Sequence, residues 1–348
     1  MTTTDAVSPR HRLRPVGWAT ASVVLLGVAL LAGITIGPAE LAPVSILRAL
    51  LDWVPGIGTD LTERQLKILW QLRVPRVALG AIVGGTLATA GAAYQGVFRN
   101  PLADPYFLGV SAGAGLGATI VIAANVAPLG PATVPVFAFI GATGAVFFTW
   151  TLGRSAGGRA GATIILAGVA VSAFLSAGQT FVQLRNVESI RDVYGFLIGQ
   201  LNTAGWTDVL VVAPFAALAV GGIIASRRLL DVLAVGDVEA TALGLSTNRV
   251  RLTIVLLATL GTAAVVSVSG LIGFVGIVVP HTLRLLVGSS YRLLVPLSFV
   301  LGAAFLVIAD IAARTVLSPA ELPIGVVTAF VGGPFFLVIL RNSRRTLL

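Results

Sequence analysis

The sequence predicts an all-α polytopic membrane protein with about ten transmembrane helices, and three observations predict it. Hydrophobic residues make up 56% of the 348 and charged residues only 11%, with a mean hydropathy of +0.97, a balance far from that of a soluble domain. Apolar runs long enough to cross a bilayer recur along the whole chain. The arginines lie between these runs instead of clustering on one basic face, so the net charge of +9 reports membrane topology and not nucleic-acid binding.

Taken in order, Val16 to Ile36 is uncharged and follows Arg10, Arg12 and Arg14, which favours a cytoplasmic N-terminal tail over residues 1–15. A cleaved signal peptide would have a shorter apolar core, roughly 7 to 15 residues, and a small-residue cleavage site. Further runs follow at Val77 to Tyr94, Phe107 to Pro128, Ala132 to Gly153, Ala160 to Leu184 and Val209 to Ser226. Leu252 to Leu283 carries no Asp, Glu, Lys or Arg. As one helix it would be about 48 Å long against a hydrocarbon core of about 30 Å, so it must fold back, with the break expected between Gly270 and Gly276. Leu293 to Ala313 and Leu322 to Leu340 complete ten spans. They leave one transmembrane domain over 16–341 and a cytoplasmic tail over 342–348. This threading puts most basic residues on the cytoplasmic side, among them Arg154, Arg159, Arg227, Arg228, Arg249, Arg251, Arg341, Arg344 and Arg345. Arg73, Arg76 and Arg314 fall at external helix ends.

Forty glycines would destabilise soluble helices, but in lipid small residues let helices pack closely. Gly80 and Gly84, and Gly109, Gly113 and Gly117, repeat at four-residue spacing and are read as packing positions. The cluster around Gly113 is no nucleotide loop, because it lacks the G-x-G-x-x-G order and follows no strand. Lys67 is the only lysine, and the glycine that a phosphate-binding G-x-x-x-x-G-K-[ST] loop requires does not precede it. The chain therefore carries no Walker A loop, and ATP hydrolysis, if it drives this protein, belongs to another subunit. With no cysteine and only His11 and His281, thiolate and histidine-rich metal sites are excluded. His281, one turn before Arg284, is expected to be a structural hydrogen-bonding residue more than a haem ligand.

The longest cytoplasmic connection, 227–251, reads RRLLDVLAVGDVEATALGLSTNRVR. Asp237 can cap a short helix with Glu239 in its first turn, Gly244 supplies a left-handed stop, and Ser246 can cap a second helix. Leu243 and Leu245 exposed there call for a covering partner. The alternative is an amphipathic loop resting on lipid headgroups.

Three ordered blocks then carry a family resemblance. The first is RVPRVALGAIVGGTLATAGAAYQGVFRNPLADPYFLGVSAGAGLG, from Arg73 to Gly117. The second is GLIGFVGIVVPHTLRLLVG, from Gly270 to Gly288. The third joins AD-x-x-AR at Ala309 to Arg314 with ELPIGVVTAFVGGPFFL from Glu321 to Leu337. Together they span most of the chain, and the protein resembles the FecCD-type permeases, the membrane halves of bacterial ATP-driven importers for iron chelates, haem and cobalamin. YGFLIGQLNTAGW, Tyr194 to Trp206, departs from the family, which commonly has a Trp and a Gly-Ser-Leu there.

The resemblance implies a type II ABC importer permease fold in the bacterial cytoplasmic membrane with both termini cytoplasmic. It implies a homodimer with two ATP-binding subunits and a substrate-binding protein, no cofactor on this chain, and ATP and Mg bound by the partner ATPase. It makes Asp237, Glu239, Ala240, Leu243, Gly244 and Leu245 the ATPase-coupling segment. Arg73, Arg76 and Arg314 become the arginines that meet glutamates of the binding protein. Asn100, Asp104, Glu321, Pro323 and the pair Pro280 and His281 belong to signature turns expected to set helix ends. The fifth span with its half-helix, the eighth and the tenth would line the pathway, with Ser172, Ser176, Gln179, Gln183, Gln200 and Asn202 as candidate polar lining. Ferric siderophore is the first expectation for cargo, with haem and cobalamin beside it.

Asp310 and Arg314 lie one helical turn apart and can pair, either functionally or as a lock on a helix end. An ion-coupled secondary carrier, the rival class, would need a titratable group near the midplane, and Asp310 is the one serious carboxylate for it. A receptor or scaffold is disfavoured because no extramembrane segment is long enough for a sensor domain.

Overall fold

A computed structural model of the chain describes residues 15–344 except 38, 40, 53, 55–57, 156–160 and 203. Arg10, Arg12, Arg14, Arg159 and Arg345, which contribute to the expected orientation, lie outside the described residues. In chain order the helices are α1 (Pro15–Thr35), α2 (Pro43–Leu50), α3 (Glu63–Lys67), α4 (Val74–Phe98), α5 (Val110–Ala123), α6 (Thr133–Ser155), α7 (Gly161–Arg185), α8 (Ile190–Leu197), α9 (Trp206–Ala225), α10 (Arg227–Val235), α11 (Asp237–Ala242), α12 (Thr247–Ser269), α13 (Val275–Val287), α14 (Tyr291–Thr315) and α15 (Ile324–Arg344). Among the described residues 7 helical stretches are long and apolar enough to cross a membrane. Shorter apolar helices at Val110–Ala123, Val275–Val287 and Ile324–Ile339 fill the remaining places of the ten-span threading.

The second span begins earlier than its apolar run. Thr62 and Gln65 form a reciprocal capping box that starts α3, and a π-helical turn, Ile68–Arg73, carries the chain into α4 without interruption. Arg73 and Arg76 therefore sit inside a continuous helix instead of on a loop before it.

α4 is the centre of the bundle, packed against α14, α12, α13 and α9. A Cβ added at Gly84 would strike the carbonyl of Gly302 in α14, and one at Gly91 the backbone of Gly276 in α13. The same holds for Gly113 against Gly141 and Gly117 against Phe137, which bring α5 onto α6. The expected packing role thus applies to Gly84, Gly113 and Gly117. It fails at Gly80, where an added Cβ would lie 3.4 Å from Leu201 in ordinary contact. It fails also at Gly109, whose φ of 85° ends the 3-10 turn Pro105–Leu108 and starts α5.

The Asn-Pro-Leu-Ala-Asp-Pro turn between α4 and α5 is set by side chains accepting from the backbone. Asn100 Oδ1 accepts from the N–H of Leu102, and Asp104 Oδ1 from that of Tyr106, both at 2.9 Å. Asp104 is buried. Burial pushes its carboxyl up to about 6 against the lowering effect of the Tyr106 N–H.

The long apolar run breaks at Gly270, φ 67°, and resumes as α13 after Phe274, φ 69°. The break is pinned by α8, a half-helix whose end donates Gln200 N–H to Ser269 O and whose Phe196 O accepts from Leu271 N–H. Gly325, at the start of α15, packs on the Ile198 carbonyl at the same point. Three chain breaks therefore meet where α8, α12 and α15 end or begin, and the backbone groups at the end of α8 and at the Gly270 break satisfy one another.

Two outcomes follow from this packing. Gly113→Ala should lower the midpoint of thermal unfolding in detergent, by overpacking of roughly 1–3 kcal/mol. Gly144→Ala in α6, where an added Cβ meets nothing within 4 Å, should leave it unchanged or slightly raised. The folded Asp104 carboxyl lies above its unfolded value, so its charged form opposes folding. Stability should fall as pH rises from about 4 to about 6. Asp104→Asn, which keeps the acceptor for Tyr106, should flatten that slope in melts taken across this range.

Candidate functional site

Two polar clusters lie at opposite ends of α4, about 35 Å apart along the helix. At the first, Arg76 sits between two carboxylates. Its Nε is 3.1 Å from both Asp310 oxygens and its Nη2 is 2.9 Å from Oδ1. Nη1 and Nη2 reach Glu321 Oε1 and Oε2 at 3.0 and 2.9 Å. Arg314 Nε stands 3.5 Å from Asp310 Oδ2, so the expected helical-turn pair exists, but the closer partner of Asp310 is Arg76. Sequence reasoning missed Arg76–Asp310 and Arg76–Glu321. The residues are 234 and 245 positions apart, and no local pattern connects them.

Arg73 and Arg314 differ from their expected place at an accessible outer rim. Both are buried. Arg73 Nη1 donates to the Ile34 and Thr35 carbonyls at 3.0 and 2.9 Å, and Nη2 donates to Ala39 O. Arg314 Nη2 donates to Gly33 O at 2.7 Å. The last carbonyls of a helix lack intrahelical donors and sit at its negative dipole end. The two guanidiniums supply what the end of α1 lacks, which draws them inward. Glu321, expected only to set a helix end, is an ion-pair partner.

At the other end, Asp237 differs from its expected role as a cap. It is the first residue of α11, after Gly236. Its Oδ1 accepts from Arg251 at 2.8 Å and lies 3.3 Å from Arg99. The charge-assisted bond from Arg251 and the ion pair with Arg99 tie α11 to the start of α12 and the end of α4. Ser246 makes no side-chain cap and precedes α12 itself. The two short helices of the segment are thus α10 and α11. Gly244 has the expected left-handed φ, 81°, and Leu245 N–H closes back on Ala240 O at 3.0 Å. Ala240 is buried and Glu239 exposed. Leu243 is 71% exposed, whereas Leu245 turns inward and packs partly on the core. Val235 and Val238, 66% and 79% exposed, are further exposed apolar side chains of this segment.

The candidate lining residues divide. Ser172 Oγ faces Gly109, and the Gln179 amide faces Gly115 in α5. Gln183 is half-buried, its Nε2 without a hydrogen-bond partner among the described residues, and Ser176 is exposed on α7. Gln200 and Asn202 line a small cavity together with Arg76, Asp310, Glu321 and Pro323. His281 differs from its expected hydrogen-bonding role: its Nδ1 is buried without a partner among the described residues, and its ring meets Phe335 edge to face at 5.9 Å.

The fold is a bundle of apolar helices of a multi-pass membrane protein, with ion-pair clusters at both ends of α4. The family model of the FecCD transport family matches residues 25–342, and the chain belongs to that family. It is 37% identical over 311 residues to the Fe(3+)-citrate import system permease protein YfmD of Bacillus subtilis (strain 168), covering 89% of this chain and 90% of the relative. It is 36% identical to the cobalamin import system permease protein BtuC of Halobacterium salinarum, over 94% of this chain and 97% of the relative. It is 37% identical to the hemin transport system permease protein HmuU of Yersinia pestis, over 82% and 87%. A solved structure of an inward-facing metal-chelate type ABC transporter superposes with a TM-score of 0.81 at 27% identity, over 94% of this chain and 99% of that one. The chain is an ABC-importer permease, a transport subunit and not an enzyme, as expected from the sequence.

The buried pairing at Arg76 sets a stability test. Arg76→Met leaves Asp310 and Glu321 short of a counter-charge and should destabilise by roughly 3–5 kcal/mol. Combining it with Asp310→Leu should recover part of that loss, read as a coupling energy from thermal melts of the two single variants and the double variant.

Proposed function

We propose that this chain is the membrane-spanning permease of an ATP-driven importer that takes up a ferric siderophore, acting as a homodimer with two ATP-binding subunits and a substrate-binding protein. The observation that carries it is the exposure of Val235 at the end of α10, Val238 in α11 and Leu243 just after it. These apolar side chains stand out from a segment otherwise anchored by Asp237, and such exposure calls for a protein cleft to cover it. A chain with no Walker A loop takes its ATP and Mg on that partner. The positive-inside rule puts this end in the cytoplasm, with both termini. The cluster around Arg76 then faces outward and receives the binding protein.

Cargo passes between the two copies, with Ser176, Gln200 and Asn202 the better placed of the candidate lining residues. The relatives named for ferric citrate, haemin and cobalamin support one machinery for bulky chelates, and the same machinery serves haem or cobalamin if the siderophore assignment fails. The ion-coupled alternative is weakened because Asp310 already faces Arg76 and Arg314.

The test is ATPase activity of the chain reconstituted in liposomes with its ATP-binding subunit, with and without loaded binding protein. Stimulated hydrolysis supports the importer, and exchanging ferric siderophore, haem and cobalamin names the cargo. Transport by the chain alone, driven by an ion gradient, sinks the proposal. Leu243→Asp should weaken co-purification with the ATPase at least about tenfold, as loss of a central apolar anchor does. Unchanged recovery would remove the coupling role.

A further inference from the structure

We infer that Glu321 is an exchangeable carboxylate: it holds on Arg76 the position that a carboxylate of the docking binding protein takes, and its departure unlatches the start of α15. This rests on the docking reading above. The two carboxylates on Arg76 are unlike each other. The Asp310 side chain is 3% exposed, while that of Glu321 is 28% exposed and lies on the connection between α14 and α15. Arg76 itself is 13% exposed, so a partner cannot reach it as a free surface charge.

Stripping a buried guanidinium of a counter-charge is costly, and replacing one carboxylate with another is not. The bidentate geometry of Glu321, Nη1 to Oε1 and Nη2 to Oε2 at 3.0 and 2.9 Å, is one that any incoming carboxylate can reproduce. Docking by exchange therefore keeps Arg76 paired throughout and delivers Glu321 to water.

The consequence falls on α15. Glu321 stands three residues before its first residue, Ile324, which is buried. Beyond it Phe330, Leu337 and Val338 are exposed. Gly325 rests on the Ile198 carbonyl beside the end of α8. Releasing Glu321 loosens the point where α15 meets α8, next to Gln200 and Asn202, so an event on the docking face is felt at the candidate pathway.

The chain has no cysteine, which makes the test direct. Ile324→Cys is introduced alone and with Glu321→Gln, in nanodiscs with the ATPase, and its labelling by a water-soluble maleimide is timed. Affinity for the binding protein that stimulates the ATPase is measured on the same samples. Glu321→Gln should speed labelling and tighten binding, each about tenfold, the factor that about 1.4 kcal/mol produces. Glu321→Asp, which keeps the charge on a shorter arm, should fall between. Val83→Cys, fully buried in α4, should stay unlabelled in every background, separating local release from unfolding. Labelling and affinity unchanged by Glu321→Gln overturn the inference even when the wild type docks, and Val83→Cys labelling alongside Ile324→Cys overturns the latch. A wild type that no binding protein binds or stimulates overturns the docking reading instead.

Discussion

The structure depends on one constraint: α4 approaches its neighbours more closely than a side chain allows. At Gly84 and Gly91 its backbone meets the backbones of Gly302 and Gly276. No hydrophobic drive separates helix from lipid in a bilayer, so this close van der Waals fit holds α4, α13 and α14 together. Polar groups reinforce it. Gln95 Nε2 donates to Gly276 O at 3.0 Å, and the Tyr94 hydroxyl bonds to that of Thr259 at 2.8 Å. The two ends of α4 carry the two charged clusters.

Those clusters solve a problem that burial creates. Arg73 and Arg314 enter the bundle because the last carbonyls of α1 lack donors, and Asp310 enters because the arginines need a counter-charge. Once there, the charges cannot be exposed singly without large cost, so rearrangement favours exchange of like for like. At the other end Asp237 pairs with Arg99, just after α4, and with Arg251 of α12.

Breaks in the helices do comparable work where α8, α12 and α15 meet. Gly270, the end of α8 and the start of α15 share backbone hydrogen bonds and contacts that would be unmet in lipid. Irregular backbone in a bilayer is tolerated only within protein or beside a water-filled path. Gln200 lies at this junction, its N–H bonded to Ser269 O.

The sequence alone determined the class, the ten apolar elements, the fold-back near Gly270 and the family. Each of these is local: bilayer thickness sets the length of an apolar run, and short glycine and proline motifs mark turns within a few residues. Gly84, Gly113, Gly244 and Asn100 were legible for that reason. The tertiary structure alone decided which charges face which. Nothing near Arg76 in sequence points to Glu321, nothing near Asp237 points to Arg99, and the inward turns of Arg73 and Leu245 depend on α1 and the core. Ion pairing acts across space between segments that only packing brings together, and in a low-dielectric bundle that pairing fixes where a charged side chain can stand.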